Sequence, residues 1–457
     1  MIPERAPAPQ QAGPARSRLR RLVPPAYRPA LEHPALRGLL PGMTVSSLGD
    51  GMCPVAITWL ALSLAAPGQR GLLVGVSLAA FTLPGVLAGA TAGRFLGRRD
   101  GRLLLLLDSS LRAVALGAVP VLSLAGLLTP AACVASLAVS SLLHAWGRAG
   151  RDTLVAELLP DGQRLAANAL VASMDSMSLI VGPASAGLLI AAVSPADVIG
   201  LDAASYAVLA LSLARSRRRW PARPRALPAA GERPAGGYRT LLASPALVGL
   251  LALSFTFNLL YGPVEVALPI HVVTDLKGGP AVLGLFWTLF GIGAISGSLA
   301  AGAARRLPPW PAAIGAVAVW GAVLLLLGLD TQLVPELAAF GLGGLVYGPY
   351  SAVTRSLLQR NSPPRQLAAI AAANSSVLII AQPAGTALGG PLVTAAGARG
   401  TILISAAATI ATACAASALL AARTRHHRPP AGPAGRQDGS SAGPTSPTSH
   451  GSADVPG

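Results

Sequence analysis

The chain alternates long apolar runs with short polar turns. Runs of twenty or so apolar residues match the thickness of a bilayer and exceed what a soluble core helix needs. They predict helices at roughly 38–64, 71–93, 102–126, 130–155, 165–192, 196–215, 243–270, 280–303, 309–329, 333–355, 367–394 and 400–422. The pattern implies an all-α integral membrane protein with about twelve transmembrane helices. One run is written twice. Leu165–Leu189 reads LAANALVASMDSMSLIVGPASAGLL, and the chain from Leu367 reads LAAIAAANSSVLIIAQPAGTALGGPLV, with Pro383 standing 200 positions after Pro183. A short polar turn precedes each copy, Pro160–Arg164 and Pro363–Arg365. The chain therefore reads as two homologous six-helix halves, with helices interrupted at Gly182-Pro183 and its later copy. A membrane protein with a direct repeat of interrupted helices carries its site between the halves.

The polar segments complete this organisation. Residues 1–35 form a basic, disordered arm without the apolar core of a cleavable signal, so the first membrane helix serves as targeting signal. Residues 36–215 form the first half, 216–240 a basic linker, 241–422 the second half, and 423–457 a disordered Pro/Gly/Ser-rich tail. Arginines fall on alternate sides. Arg94, Arg98, Arg99, Arg151, Arg164, Arg215, Arg305, Arg355, Arg360, Arg365 and Arg423 share one side, whereas the other holds only Arg70, Lys277 and Arg399 beside Asp197, Asp275, Asp330 and Glu336. The rule that basic loops stay inside makes the arginine-rich side cytoplasmic and puts both termini there.

Composition agrees. Of 457 residues, 52% are hydrophobic and 12% charged, against about 25% charged in a soluble domain. The formal charge of +17 sits in loops and tails rather than on one face, which argues against nucleic acid as a partner. Cys53, Cys133 and Cys414 stand singly in apolar runs, and His144 has no second ligand at suitable spacing. Neither a metal nor a cofactor is expected.

Polar residues inside the apolar helices carry the candidate chemistry, because charge in hydrocarbon costs about 2.5–3.5 kcal/mol and so faces a cavity or a partner. Ser47, Asp50, Pro54 and Thr58 line one face of the first predicted helix, and Ser141, His144, Arg148 and Arg151 one face of the fourth. The seventh has Ser254, Asn258, Tyr261 and Glu265, and the tenth has Tyr347, Tyr350, Ser351 and Thr354. For the hydroxyls, hydrogen bonding between helices competes with a cavity role. Asp50 and Glu265 are the leading candidates for proton coupling, with Asp175 a third, since burial lets a carboxyl load and release protons near neutral pH. The alternative for these acids is a permanent ion pair with Arg148 or Arg112. Asp108 and Arg112, four residues apart, read as an intrahelical pair first and a gate second. Asp202 and Tyr206 read as packing residues.

These features resemble the major facilitator superfamily. The loop GATAGRFLGRRDGRLLLL, Gly89 to Leu106, is similar to the superfamily's Gly-x-x-x-Asp-Arg-x-Gly-Arg-Arg signature, which gates the cytoplasmic side. Gly89, Arg94, Gly97, Arg98 and Arg99 fit with about one residue inserted, and Gly93 replaces the usual aspartate. Gly182-Pro183-x-x-Ala186-Gly187 is similar to the antiporter motif Gly-Pro-x-x-Gly-Gly. VSSLGDG, LLDSSLRA and LDAASYAVLAL resemble the branch of macrolide-efflux proteins and the enterobactin exporter. The resemblance covers about Leu36 to Ala422. It implies a plasma-membrane, multi-pass carrier that is not an enzyme and acts as a monomer, moving a small organic molecule outward in exchange for protons. It also implies that the first, fourth, seventh and tenth helices line a central cavity. Thr58, His144, Arg148, Asn258, Tyr261, Trp287, Tyr347 and Tyr350 are then the expected cavity residues. An importer or facilitator is the alternative within transport, and a receptor or scaffold the alternative outside it.

Overall fold

Caps and prolines set where the helices begin. The computed structural model describes residues 33–66, 68–96, 100–159, 161–215, 237–303 and 308–426. Within these residues the helices are α1 (Pro34–Leu64), α2 (Arg70–Leu96), α3 (Gly101–Leu124), α4 (Pro130–Ser141), α5 (His144–Leu158), α6 (Asp161–Ala192) and α7 (Pro195–Arg215). They continue as α8 (Gly237–Ala243), α9 (Pro245–Thr274), α10 (Pro280–Ala303), α11 (Pro309–Leu329), α12 (Leu333–Asn361) and α13 (Leu367–His426). Proline occupies the first turn of α1, α4, α9 and α11, where its missing N–H costs nothing. Asp100, Thr129 and Ser244 cap α3, α4 and α9 by accepting from Arg102, Ala132 and Leu247 amides.

Ten segments are long and apolar enough to cross a membrane, α4 and α5 counting as one (Pro130–Val155) and α13 as one. These ten are consistent with the expected twelve. α13 turns at Gly397 (φ 73°, ψ 174°), a backbone conformation open chiefly to glycine, and so makes two passes. α12, which carries Glu336, Arg355 and Arg360, falls outside the ten. The expected single fourth helix breaks at Leu142-Leu143. Just before the break, Ser140 and Ser141 hydroxyls bond the carbonyls of Leu137 (2.7 Å) and Ala138 (3.0 Å), a back-bonding that bends helices.

The expected interruption at Gly182-Pro183 is corrected: α6 runs unbroken through Pro183, as α13 runs through Pro383. Neighbouring helices let a membrane helix tolerate a proline. The glycines there serve packing instead. A Cβ on Gly182 would stand 2.6 Å from Gly51 Cα, so α1 and α6 cross backbone to backbone. In the second half a Cβ on Gly385 would stand 3.1 Å from Gly262 Cα, the same kind of crossing between α9 and α13. The sequence repeat is thus also a packing repeat.

Near the arginine-rich end, Leu36, Leu39, Met43, Leu105, Leu154, Leu158, Leu209 and Leu213 pack α1, α3, α5 and α7 together. Arg102 fastens the start of α3 to the end of α7 through the Leu213 carbonyl, at 2.9 Å from Nε and 2.6 Å from Nη2. The early and late helices meet closely toward the arginine-poor end. There the start of α2 packs on α13 (Gly75 with Gly390) and the end of α6 on the start of α10 (Gly187 with Pro280). The described residues up to Ser417 form one compact unit, and Ala418–His426, helical, belong to a second. Most of the expected 1–35 arm and 216–240 linker, the tail beyond His426, and Arg98 and Arg99 lie outside the described residues. Arg94 lies on α2, and its side chain is outside them.

Candidate functional site

Four helices of the first half bring their polar faces to one point. Arg112 on α3 is 2% exposed and donates from Nη1 to Asp50 Oδ1 on α1 at 2.7 Å. The same nitrogen donates to the Tyr206 hydroxyl on α7 at 2.6 Å, and that hydroxyl donates to Asp50 Oδ2 at 2.7 Å. Arg112 Nη2 donates to Nδ1 of His144 at the start of α5. A guanidinium has no acceptor, so Nδ1 is unprotonated and His144 is the neutral Nε2–H tautomer. Asp108 Oδ1 stands 3.5 Å from Arg112 Nε, and the Arg112 guanidinium lies 4.9 Å from the Tyr206 ring centre. Below this cluster Cys53 Sγ donates to the buried Asp202 at 3.0 Å.

This cluster separates two spaces. A central cavity of about 500 Å³ is lined from the first half by Asp50, Pro54, Thr58, Phe81, Thr82, Arg112, His144 and Arg148, and from the second by Asn258, Glu265, Trp287, Gln382 and Thr386. A pocket of about 50 Å³ runs from the cluster toward the arginine-rich end, lined by Met43, Ser46, Ser47, Asp108, Gly147, Arg148 and Arg151. Asp50 lines both. Across the cavity, Glu265 on α9 is held by Gln382 Nε2 at 2.8 Å and the Thr386 hydroxyl at 3.1 Å, both from α13.

Five of the expected cavity residues, Thr58, His144, Arg148, Asn258 and Trp287, lie on this wall. Three do not. Tyr261 packs between Trp287 and Trp320, Tyr347 against Phe257 and Phe290, and Tyr350 is buried with its hydroxyl donating to Ser254 at 3.1 Å. Tyr261 sits about 60° round α9 from Asn258, at the margin of the polar stripe, where a long ring turns to the neighbouring helices. Asp175 lies away from the cavity, half exposed, with Arg151 at 3.2 Å and Ser47 at 3.3 Å. Asp108 and Arg112, expected as an intrahelical pair first and a gate second, stand 3.5 Å apart within the central cluster, and Gly89 packs against Ala145.

Sequence reasoning missed the partners that come from distant helices, Tyr206, Gln382 and Thr386. It also missed a buried clamp near the arginine-poor end. His271 on α9 lies between Asp275 (2.9 Å) and Glu336 on α12 (3.0 Å), with His271 and Glu336 both 0% exposed. A histidine and an acid four residues apart on one helix was the available signal.

Residues 26–347 match the family described as transmembrane secretion effector. The chain is 28% identical over 389 residues to the multidrug efflux pump Tap of Mycolicibacterium fortuitum, covering 81% of this chain and 91% of that one. It is 28% identical over 384 residues, with the same coverage, to an uncharacterized MFS-type transporter of Sinorhizobium fredii. Among solved structures, an inward-facing bacterial homologue of the iron transporter ferroportin superposes with a TM-score of 0.66 at 17% identity, over 84% of this chain and 97% of that one. An inward-facing bacterial homologue of the human lysosomal transporter Spinster gives 0.65 at 13%, over 90% and 100%. At these identities the structural likeness shows the fold.

Proposed function

The chain belongs to the transmembrane secretion effector family of the major facilitator superfamily, and on that premise we propose that it exports small organic molecules in exchange for protons. It is a multi-pass membrane transporter and not an enzyme. The direction of flux follows the efflux pump it is similar to. The excess of arginine in alternate loops supports cytoplasmic termini in this reading.

The observation that carries the proton-coupled reading is the position of Asp50. Its carboxylate lines the central cavity and also the pocket toward the arginine-rich end. A titratable group at the border of two spaces can take a proton from one and release it to the other as the halves rock. Arg112 is ion-paired with the Asp50 carboxylate, and a proton on Asp50 would cancel that attraction and free the cluster to rearrange. Thr58, Asn258 and Trp287 give the cavity a mixed polar and aromatic lining, which suits an amphipathic molecule.

The test is efflux of fluorescent drugs and catecholates from cells lacking their own pumps, with and without a proton uncoupler. Efflux that the uncoupler and Asp50→Asn both abolish is the expected result. Efflux that survives both would make the protein a facilitator and Asp50 structural. Uptake in right-side-out vesicles would make it an importer.

A further inference from the structure

We propose that the central cavity takes a dipolar ligand, a molecule with a cationic nitrogen at one end of an apolar scaffold and an anionic group at the other. Glu265 receives the cation and Arg148 the anion. The proposal rests on the transport reading above and names the substrate class for the same cavity.

The charges on the cavity wall lead to it. Asp50 and Arg112 face the cavity together but cancel, for they are 2.7 Å apart and Tyr206 fills the carboxylate's other oxygen. Arg112 is further occupied by His144 and Asp108. His144 is neutral in this arrangement because its Nδ1 accepts from the guanidinium. Two charges are left. Arg148, one helical turn beyond His144 on α5, has no hydrogen bond or ion pair among the described residues, and it is exposed where it lines the cavity. Its neighbours Arg151 and Asp175 are paired with each other.

Glu265 is the second. Both its oxygens are engaged, yet by the neutral donors Gln382 and Thr386. Neither donor carries a charge, so no cation stands against this carboxyl. Each half therefore offers the cavity one ionisable side chain without an ion pair, Arg148 on α5, four residues before Asp152, and Glu265 on α9. The same wall carries Phe81, Leu78, Leu283, Trp287, Leu378 and Ile379, an apolar and aromatic surface. A singly charged ligand leaves one of the two groups facing the ligand without a partner as water is displaced. A dipolar ligand satisfies both. A proton that reaches Glu265 competes with the ligand's cation for the same carboxylate, which is the logic of exchange.

The test uses the full-length protein in lipid nanodiscs at neutral pH with no gradient. Four dansyl probes share one scaffold and carry an ammonium, a carboxylate, both at opposite ends, or neither. The dipolar probe should bind about tenfold tighter than either singly charged one, the gain expected of one charge-assisted contact. Glu265→Gln should erase its advantage over the carboxylate probe, and Arg148→Gln its advantage over the ammonium probe. Glu265→Asp and Arg148→Lys should keep both advantages. Equal binding of the ammonium and dipolar probes, variants without this selectivity, or no binding of any probe overturns the proposal. If a variant fails to fold, the wild-type ranking decides alone. Dipolar binding without gradient-driven flux in proteoliposomes would sink the export reading and leave the ligand class standing. Driven flux that ignores probe charge would do the reverse.

Discussion

Arg112 and Asp50, 62 positions apart in sequence, form a 2.7 Å ion pair whose two members differ in access: the arginine is 2% exposed and the aspartate 36%. The acid can meet solvent protons while the base stays in place. Once Asp50 is protonated, the nearest remaining countercharge to Arg112 is Asp108, 3.5 Å from Nε. The cluster thus holds two carboxylates for one guanidinium, an arrangement that a single proton can tip.

Asp50→Asn should abolish gradient-driven export and leave ligand binding within a few-fold of wild type. Efflux and equilibrium binding, measured on the same preparation, separate the two effects. Wild-type efflux with an unchanged pH profile would show that Asp50 takes no part in coupling.

Arg112→Leu should cost about 3–5 kcal/mol of stability, since it strands the carboxylates of Asp50 and Asp108 without their counterion. Thermal unfolding in detergent would show it. The Asp50→Asn/Arg112→Leu double variant should regain part of the loss, because one stranded charge is then gone. A double variant as unstable as the sum of the singles would remove the pair from the account.

Gly182→Val should prevent accumulation of folded protein in the membrane. Its side chain would fall on the backbone of Gly51, where even a Cβ comes within 2.6 Å of Cα, and overpacking of this kind costs about 1–3 kcal/mol or more. Gly38→Ala is the matched control, as nothing lies within 4 Å of its Cβ position. Normal levels of folded Gly182→Val would mean that α1 and α6 are not held this closely.

Glu336→Leu should destabilise the α9–α12 junction by about 3 kcal/mol through loss of the buried acid opposite His271. A double-mutant cycle with His271→Asn should give a coupling of about 1 kcal/mol or more, against near zero for independent sites. Unfolding midpoints at one fixed pH provide the four corners.

The membrane helices and their sequence repeat were legible in the sequence because each rests on local chemistry. A run long enough to span the bilayer is a membrane helix whatever surrounds it. The 200-residue spacing of Pro183 and Pro383 already places two like elements in two halves. Helical spacing likewise put Asp50, Thr58, Asn258 and Glu265 on polar stripes, and all four stand on the cavity wall.

Spacing along one helix fixes which face a residue occupies but not which neighbour meets that face. That Arg112 holds Asp50 more closely than Asp108, its neighbour four residues away, follows from how α1 and α3 pack side by side. That Tyr261, Tyr347 and Tyr350 turn into an aromatic core rather than the cavity follows from the closeness of α10 and α11 to α9 and α12. Glycine brings α12 close to α10, where a Cβ on Gly344 would run into the Phe290 carbonyl oxygen, and a glycine's sequence context does not say which backbone it will touch. The sequence by itself thus determined the membrane helices, their repeat and their polar faces, through local apolarity and helical period. Tertiary packing alone decided the charge pairing at Asp50, the partners of Glu265 and the clamp at His271, because each is a meeting of residues that only the crossing of distant helices brings within bonding distance.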